Sequence, residues 1–237
     1  MISVKNLTKK FGKLKALDDL TVTFSKGACI ALLGPNASGK TTLIKSLLGM
    51  VVPDSGSIYF NNETITNKWS YRNEIGYMPQ IGRYPENMTI ANIIDMMKDI
   101  RKEGTKKYDE DLIQIYGLND IKHKRMRTLS GGTTQKVSAS LAFLFSPDVL
   151  ILDEPTAGLD PLSSELLKQK IVKEKQNGKL ILITSHVLSE LDDLITEVIY
   201  MQEGKLLFHK TLSQLKEQTG EERLSKAIAT LISAQEA

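Results

Sequence analysis

The stretch Gly34-Pro35-Asn36-Ala37-Ser38-Gly39-Lys40-Thr41 limits what this chain can fold into more than any other. Its spacing, G-x-x-x-x-G-K-[ST], is that of a phosphate-binding loop. Upstream, Cys29-Ile30-Ala31-Leu32-Leu33 is an unbroken apolar run suited to a buried parallel strand. Downstream, Leu43, Ile44, Leu47 and Leu48 recur at helical spacing, and Gly49 is a natural stop. A chance glycine-rich turn would lack one or both of these flanks. Without a Cβ at Gly34 and Gly39, the backbone can curl and aim several N–H groups at one anion. The start of the helix adds its dipole. Lys40 can then bridge the β- and γ-phosphates, and the Thr41 hydroxyl can ligand Mg²⁺.

Composition narrows the class. The chain has 237 residues, enough for one large domain or one domain with an insertion. Apolar residues make up 41% and charged residues 25%, so a core can be buried. A net charge of +3 is too weak to argue for nucleic acid. The single cysteine, Cys29, excludes an internal disulfide and reads as a buried structural thiol. The N-terminus carries no charged-then-apolar signal pattern, and no apolar stretch is long enough to span a bilayer. A membrane process would be served from the aqueous side, through a partner.

Along the chain, residues 2–8 and 20–24 alternate apolar and polar side chains as half-exposed strands do. Phe11 lies between them and reads locally as a core or strand-end aromatic, although one flat ring could also stack on a base. After the first helix, Pro53–Gly56 is a turn, Ser57–Phe60 a strand and Asn61-Asn62 a hairpin turn. The short strand Ile75–Met78 ends at Pro79-Gln80. From about Gly82 to Phe145 helical periodicity takes over. Its stripes are Ile90, Ile93, Ile94 and Met97, capped by Thr89; Leu112, Ile113 and Tyr116; and Val137, Leu141 and Leu144. The basic cluster Lys122, His123, Lys124, Arg125 and Arg127 reads as a solvated face. Buried strands resume at Val149–Leu152 and Leu180–Ile183, separated by a helix from Asp160-Pro161 to about Gln176. Val198–Met201 and Lys205–Phe208 flank the hairpin signal Glu203-Gly204, and the residues from Ser213 on are helix-prone.

A phosphate loop holds nucleotide, but hydrolysis needs a Mg²⁺ anchor, a water-orienting group and a γ-phosphate sensor. Asp153 and Glu154 follow the strand Val149–Leu152, where an acid suits the Mg²⁺ shell and its neighbour can polarise water. Gln80 and His186 also end short apolar strands, and strand C-termini converge on the ligand crevice of a parallel sheet. Leu129-Ser130-Gly131-Gly132 is a second phosphate-seeking helix start. Two in one chain make sense if the second serves another subunit's nucleotide.

These motifs, GPNASGKT, Gln80, LSGG at 129–132, ILDEP at 151–155, GLD at 158–160 and His186, together resemble the ATP-binding subunits of ABC transporters over nearly the whole chain. The resemblance implies an α/β P-loop NTPase with a parallel-sheet RecA-like core, an N-terminal antiparallel β subdomain and an inserted α-helical subdomain. Residues 1–81 and 146–212 would form the core with its β subdomain, 82–145 the helical subdomain and 213–237 a C-terminal helical extension. The cofactors would be ATP and Mg²⁺. Gly34, Pro35, Asn36, Ala37, Ser38, Gly39, Lys40, Thr41 and Thr42 would hold the phosphates, and Phe11 would stack on adenine. Thr41, Gln80 and Asp153 would face Mg²⁺. Glu154 would be the catalytic base, His186 the γ-phosphate switch and Gln80 the reporter to the membrane partner. Ser130, Gly131 and Gly132 would bind the nucleotide of a facing copy, with Asp160 at the seam.

Implied partners are a second copy or a paralogous ATPase and a separate multi-spanning permease, at the cytoplasmic face of the membrane, with no direct nucleic acid. Two positions depart from the pattern: Thr133 replaces the usual glutamine, and Phe11 is more often tyrosine. Residues 126–161 also look like a narrower group, the ATPases of the copper-handling transporter that matures nitrous oxide reductase. The competing readings are a soluble ABC-type ATPase acting on ribosomes or DNA, a non-hydrolysing binding module and a guanine-nucleotide switch. The compact interval between the two nucleotide motifs and the single cassette weigh against the first. Intact Lys40, Asp153, Glu154 and His186 weigh against the second. Asn67-Lys68-Trp69-Ser70, which lacks an acid to read guanine, weighs against the third.

Overall fold

A computed structural model gives the structure of residues 1–101 and 107–236; residues 102–106, inside the expected helical region, and Ala237 lie outside the described residues. The chain opens with β1 (Ile2–Phe11), β2 (Leu14–Phe24) and β3 (Cys29–Leu33), then α1 (Lys40–Leu47), β4 (Ser55–Phe60), β5 (Glu63–Thr64) and β6 (Ile75–Met78). Next come α2 (Ile90–Ile100), α3 (Asp111–Ile115), α4 (Gly131–Phe143), β7 (Val149–Asp153), α5 (Pro161–Gln176) and β8 (Leu180–Thr184). It closes with β9 (Glu197–Gln202), β10 (Lys205–Thr211), α6 (Leu212–Thr219) and α7 (Leu224–Glu236). It divides into two compact units, Met1–Tyr71 with Leu182–Ala237, and Arg72–Ile181.

In the first unit an antiparallel sheet has the order β2-β1-β4-β5. Beside it β10 pairs antiparallel with β9, and β9 pairs parallel with β3. All five side chains of β3 are buried, as an unbroken apolar run requires. The first two strands are longer than the alternation suggests, meeting in a hairpin at Gly12-Lys13. The cause is bulging: the register shifts between Val4 and Leu7 and again at Lys9, and Asn6 and Asp19 take φ of 48° and 55°. Each bulge resets which face is buried, so Leu7 and Leu17 reach the core although the period of two is broken. At the C-terminus, Leu224, Ala227, Ile228 and Leu231 are all buried, so the apolar stripe of α7 is used in packing.

In the second unit β6 and β7 run parallel, with Met78 opposite Leu152. The helical stripes close into one core of Ile90, Ile93, Ile113, Leu118, Met126, Val137, Leu141 and Leu144. Thr89 caps α2 reciprocally with Asn92, its hydroxyl accepting from the Asn92 N–H. The basic residues Lys122, His123, Lys124, Arg125 and Arg127 are exposed, as expected of a solvated face.

Among the described residues Lys170, Glu174 and Lys179 are charged groups buried in this unit. Lys170 on α5, 3% exposed, donates to Asp109 at 2.6 Å and Asp111 at 2.9 Å and pairs with Glu174 at 3.0 Å. Burial works against its charge, but three carboxylates outweigh that and hold the ammonium protonated. Asp111, bonded to Lys173 and Lys170, is pulled down from 3.8 to about 2. A carboxylate depressed by folding contributes stability above its unfolded value, and that stability is lost as pH falls through the folded one. We therefore expect Asp111→Asn to flatten the loss of stability between about pH 4 and about pH 2. At pH 7 its cost should stay below about 1 kcal/mol, because Asp111 is close to solvent. Denaturant melts at pH 7, 4.5 and 3 measure this; parallel slopes in the two proteins would contradict it.

Candidate functional site

In the first unit, β3 delivers the phosphate loop and α1 leaves it, with the first helical bond from the Leu43 N–H to the Gly39 carbonyl at 2.8 Å. The loop closes on itself through the Ser38 N–H and the Pro35 carbonyl, 3.2 Å apart. Gly34, Ala37 and Gly39 all have positive φ, at 142°, 63° and 103°. Here glycine serves close approach as well as curvature. A Cβ on Gly34 would lie 2.0 Å from the Met201 carbonyl oxygen, and one on Gly39 would lie 2.4 Å from that of Ala16. The Lys40 ammonium reaches back over the loop, donating to the carbonyls of Gly34 at 2.7 Å and Pro35 at 2.9 Å. Pro35, Asn36, Ala37 and Thr41 are exposed, Thr42 is half-buried and Ser38 is buried.

A brace not foreseen from the sequence holds this loop. The turn between β9 and β10 sends the Gly204 N–H to the Ser38 carbonyl, and the Gly204 carbonyl accepts from the Asp18 N–H, both at 3.0 Å. Glu203-Gly204 was legible as a hairpin signal, but nothing local says what the hairpin leans on. Phe11 ends β1 with its ring 52% exposed, and the Lys9 ammonium sits 5.5 Å from the ring centroid. His186 follows β8 and is exposed; beside it the Ser185 hydroxyl accepts from the Val187 N–H at 3.0 Å.

The second unit carries the other assigned residues. The β6–β7 pairing ends with Met78 opposite Leu152, and Gln80 and Glu154 each lie two residues past it. Gln80 is exposed, and Asp153 and Glu154 are half-buried. Glu154 takes φ of 50°, uncommon for a residue with a Cβ, so the chain turns sharply as the strand ends. The turn continues through the Ala157 N–H to the Glu154 carbonyl at 3.1 Å. Ser130 caps α4, its hydroxyl accepting from the Thr133 N–H at 3.2 Å, and Ser130 and Gly131 are exposed. Asp160 caps α5 through the Ser163 N–H at 2.9 Å and pairs with Lys136 at 2.9 Å.

A family model described as "ABC transporter" matches residues 17–157, more than half of the sequence. The chain belongs to the ABC transporter family. An uncharacterized ABC transporter ATP-binding protein of Bacillus subtilis, YhaQ, is 31% identical over 95% of this chain and 76% of its own. A solved structure described as the ATP-binding subunit of an ABC transporter aligns at a TM-score of 0.90 with 26% identity, over 98% of this chain and 99% of that one. A dimeric cassette in a post-hydrolysis state, bound to ADP and Pi, aligns at 0.80 with 22% identity, over 90% and 99%. The fold is therefore the mixed α/β P-loop fold of ABC ATPases, with its antiparallel N-terminal sheet and helical insertion. The cassette is an ATP-binding ATPase of the transport class. Among its described residues no helix is long and apolar enough to cross a membrane.

The cassette's own residues fit a triphosphate. The loop backbone lies where a side chain on Gly34 or Gly39 would collide with neighbouring carbonyls, and Lys40 already spans it. Among the described residues no three His, Cys, Asp or Glu side chains gather into a metal site. Mg²⁺ usually takes one or two protein ligands and completes its shell with phosphate and water. Thr41, at the first turn of α1, offers the hydroxyl. Lys136 and Tyr116, which touch the Asp160 region, were missed; the only sequence cue was the i, i+4 spacing from Gly132 to Lys136.

Proposed function

We propose that the chain works as one of two facing copies, or beside a paralogous ATPase, pinching two Mg-ATP head to tail and driving a separate multi-spanning permease from the cytoplasmic face of the membrane. The observation that carries this is the start of α4. Ser130 and Gly131 are exposed at the N-terminal end of a long helix, and a Cβ on Gly131 would meet nothing within 4 Å. An anion-seeking helix start left open, in a chain that already has a phosphate loop, is what a composite site requires. The solved cassette that is dimeric with ADP and Pi supports it.

In this reading the loop Gly34–Thr42 holds the phosphates, with Lys40 bridging them, and Phe11 stacks on the base. Thr41, Gln80 and Asp153 would hold Mg²⁺, which neutralises charge between the β- and γ-phosphates when bound. Glu154 accepts the proton of the attacking water. His186 senses the γ-phosphate, and Gln80 relays to the permease. Ser130, Gly131 and Gly132 complete the partner's site, with Asp160 at the seam. Residues 82–145 act as the signature subdomain, 1–81 and 146–212 as the nucleotide core, and 213–237 as an extension.

The likeness of residues 126–161 to ATPases of the nitrous oxide reductase copper transporter supports a narrower reading with that cargo. Copper would then be handled by the membrane subunit, since this chain has one cysteine, Cys29, and three scattered histidines, His123, His186 and His209. The deciding experiment is to tag the chain, purify it from membranes of its native host and identify what comes with it. A multi-spanning membrane protein is the expected companion. Ribosomal proteins or DNA-bound fractions in its place would favour the soluble ATPase.

A further inference from the structure

We propose that Lys136 is a positioning residue that, with Gly132, clamps the first turns of α4 to the segment Gly158–Asp160, so that the phosphate-facing Ser130–Gly132 and the turn after Glu154 move as one piece. This rests on the two-copy reading and adds a residue and a linkage to it. Gly132 and Lys136 are one turn apart on the same face of α4. At Gly132 the helix meets the Gly158 carbonyl so closely that a Cβ would lie 2.8 Å from its oxygen. At Lys136 the ammonium lies 2.9 Å from Asp160 Oδ2 and 5.7 Å from the centroid of the Tyr116 ring.

Each partner of Lys136 is itself held. The Asp160 carboxylate also accepts from the Ser163 N–H at 2.9 Å and the Ser163 hydroxyl at 2.7 Å. The Tyr116 hydroxyl donates to the Ser163 carbonyl at 3.1 Å. Burial first, and the Asp160 charge second, keep that phenol protonated and donating. Toward Glu154, the Leu159 N–H bonds the Thr156 carbonyl and the Ala157 N–H bonds the Glu154 carbonyl, both at 3.1 Å. Short turns therefore join the glutamate to the clamp without a break. If Ser130–Gly132 read the nucleotide of the facing copy, its γ-phosphate and this copy's glutamate are mechanically coupled within one chain. A displacement of about 1 Å at such a site can cost about 100-fold in rate.

The test uses the full-length chain. Lys136→Met should lower kcat for ATP about tenfold or more, while fluorescent-nucleotide binding to the isolated chain stays within twofold. Lys136→Arg, which keeps the charge, should recover most of the lost rate. In a Glu154→Gln background, Lys136→Met should weaken the ATP-dependent dimer about tenfold. A packing residue with no part in coupling would not separate kcat from nucleotide binding in this way. Should Lys136→Met lose nucleotide binding through misfolding, Asp160→Asn removes the ion pair and keeps a good helix cap, with the same expectation. A Glu154→Gln dimer and a wild-type kcat both untouched by these substitutions overturn the clamp alone. Absence of any Glu154→Gln dimer overturns the clamp together with the two-copy reading.

Discussion

Replacing Glu154 by glutamine should cut ATP turnover by about 100-fold or more while ATP still binds and the loaded chains accumulate as dimers. A positioned general base contributes about 10²- to 10⁴-fold, and an amide of the same shape cannot take the water's proton. The backbone at this position is unusual, with φ of 50°. A residue with a Cβ in the left-handed region costs about 1–2 kcal/mol, which persists only where the surroundings dictate it. Glutamine meets the same backbone demand, so the substitution isolates the carboxylate from the turn. The phosphate loop belongs to other residues, Gly34 to Thr42, so affinity for ATP should survive. Phosphate release and light scattering with ATP and Mg²⁺ measure the two halves of this expectation. Turnover at the wild-type rate would take the role of base away from Glu154.

What the sequence made legible follows from where chemistry imposes spacing. The phosphate loop must be a fixed number of residues between a strand and a helix, so GPNASGKT with β3 and α1 could be placed directly. Asp153-Glu154, Gln80 and His186 stand out in the sequence because each ends an apolar run. The β6–β7 pairing then ends at Met78 and Leu152, two residues before Gln80 and Glu154. The N-terminal hairpin was read short because bulges at Asn6 and Asp19 break the alternation on which strand reading depends. Lys170 was invisible for another reason. Lysine in a helix reads as a solvent face, yet two of its partners, Asp109 and Asp111, lie 61 and 59 residues away. Local periodicity carries no trace of such a pairing. The same holds for Gly204, whose turn was recognised while its contact with Ser38 was not.

Gly34→Ala is expected to abolish usable ATP binding, lowering affinity at least 100-fold, and to lower stability by about 2–4 kcal/mol. Two costs add here. The backbone sits at φ of 142°, where side chains are rarely tolerated. The new methyl would also stand 2.0 Å from the Met201 carbonyl oxygen and 2.8 Å from the Ser38 hydroxyl. Ser38 can rotate, but the Met201 carbonyl belongs to β9, which is paired to β3 on one side and β10 on the other. The strain is relieved only if the loop lifts away, and lifting it breaks the brace from Gly204 to Ser38. The N–H groups that should converge on phosphate then no longer point together. Gly178→Ala separates the two costs. Gly178 also has positive φ, at 78°, but a Cβ there meets nothing within 4 Å. That variant should lose only about 1 kcal/mol and bind nucleotide normally. Nucleotide titrations and thermal melts of the two proteins side by side decide the matter. Equal affinity in both would mean that neither the backbone angle at Gly34 nor the approach of β9 shapes the loop.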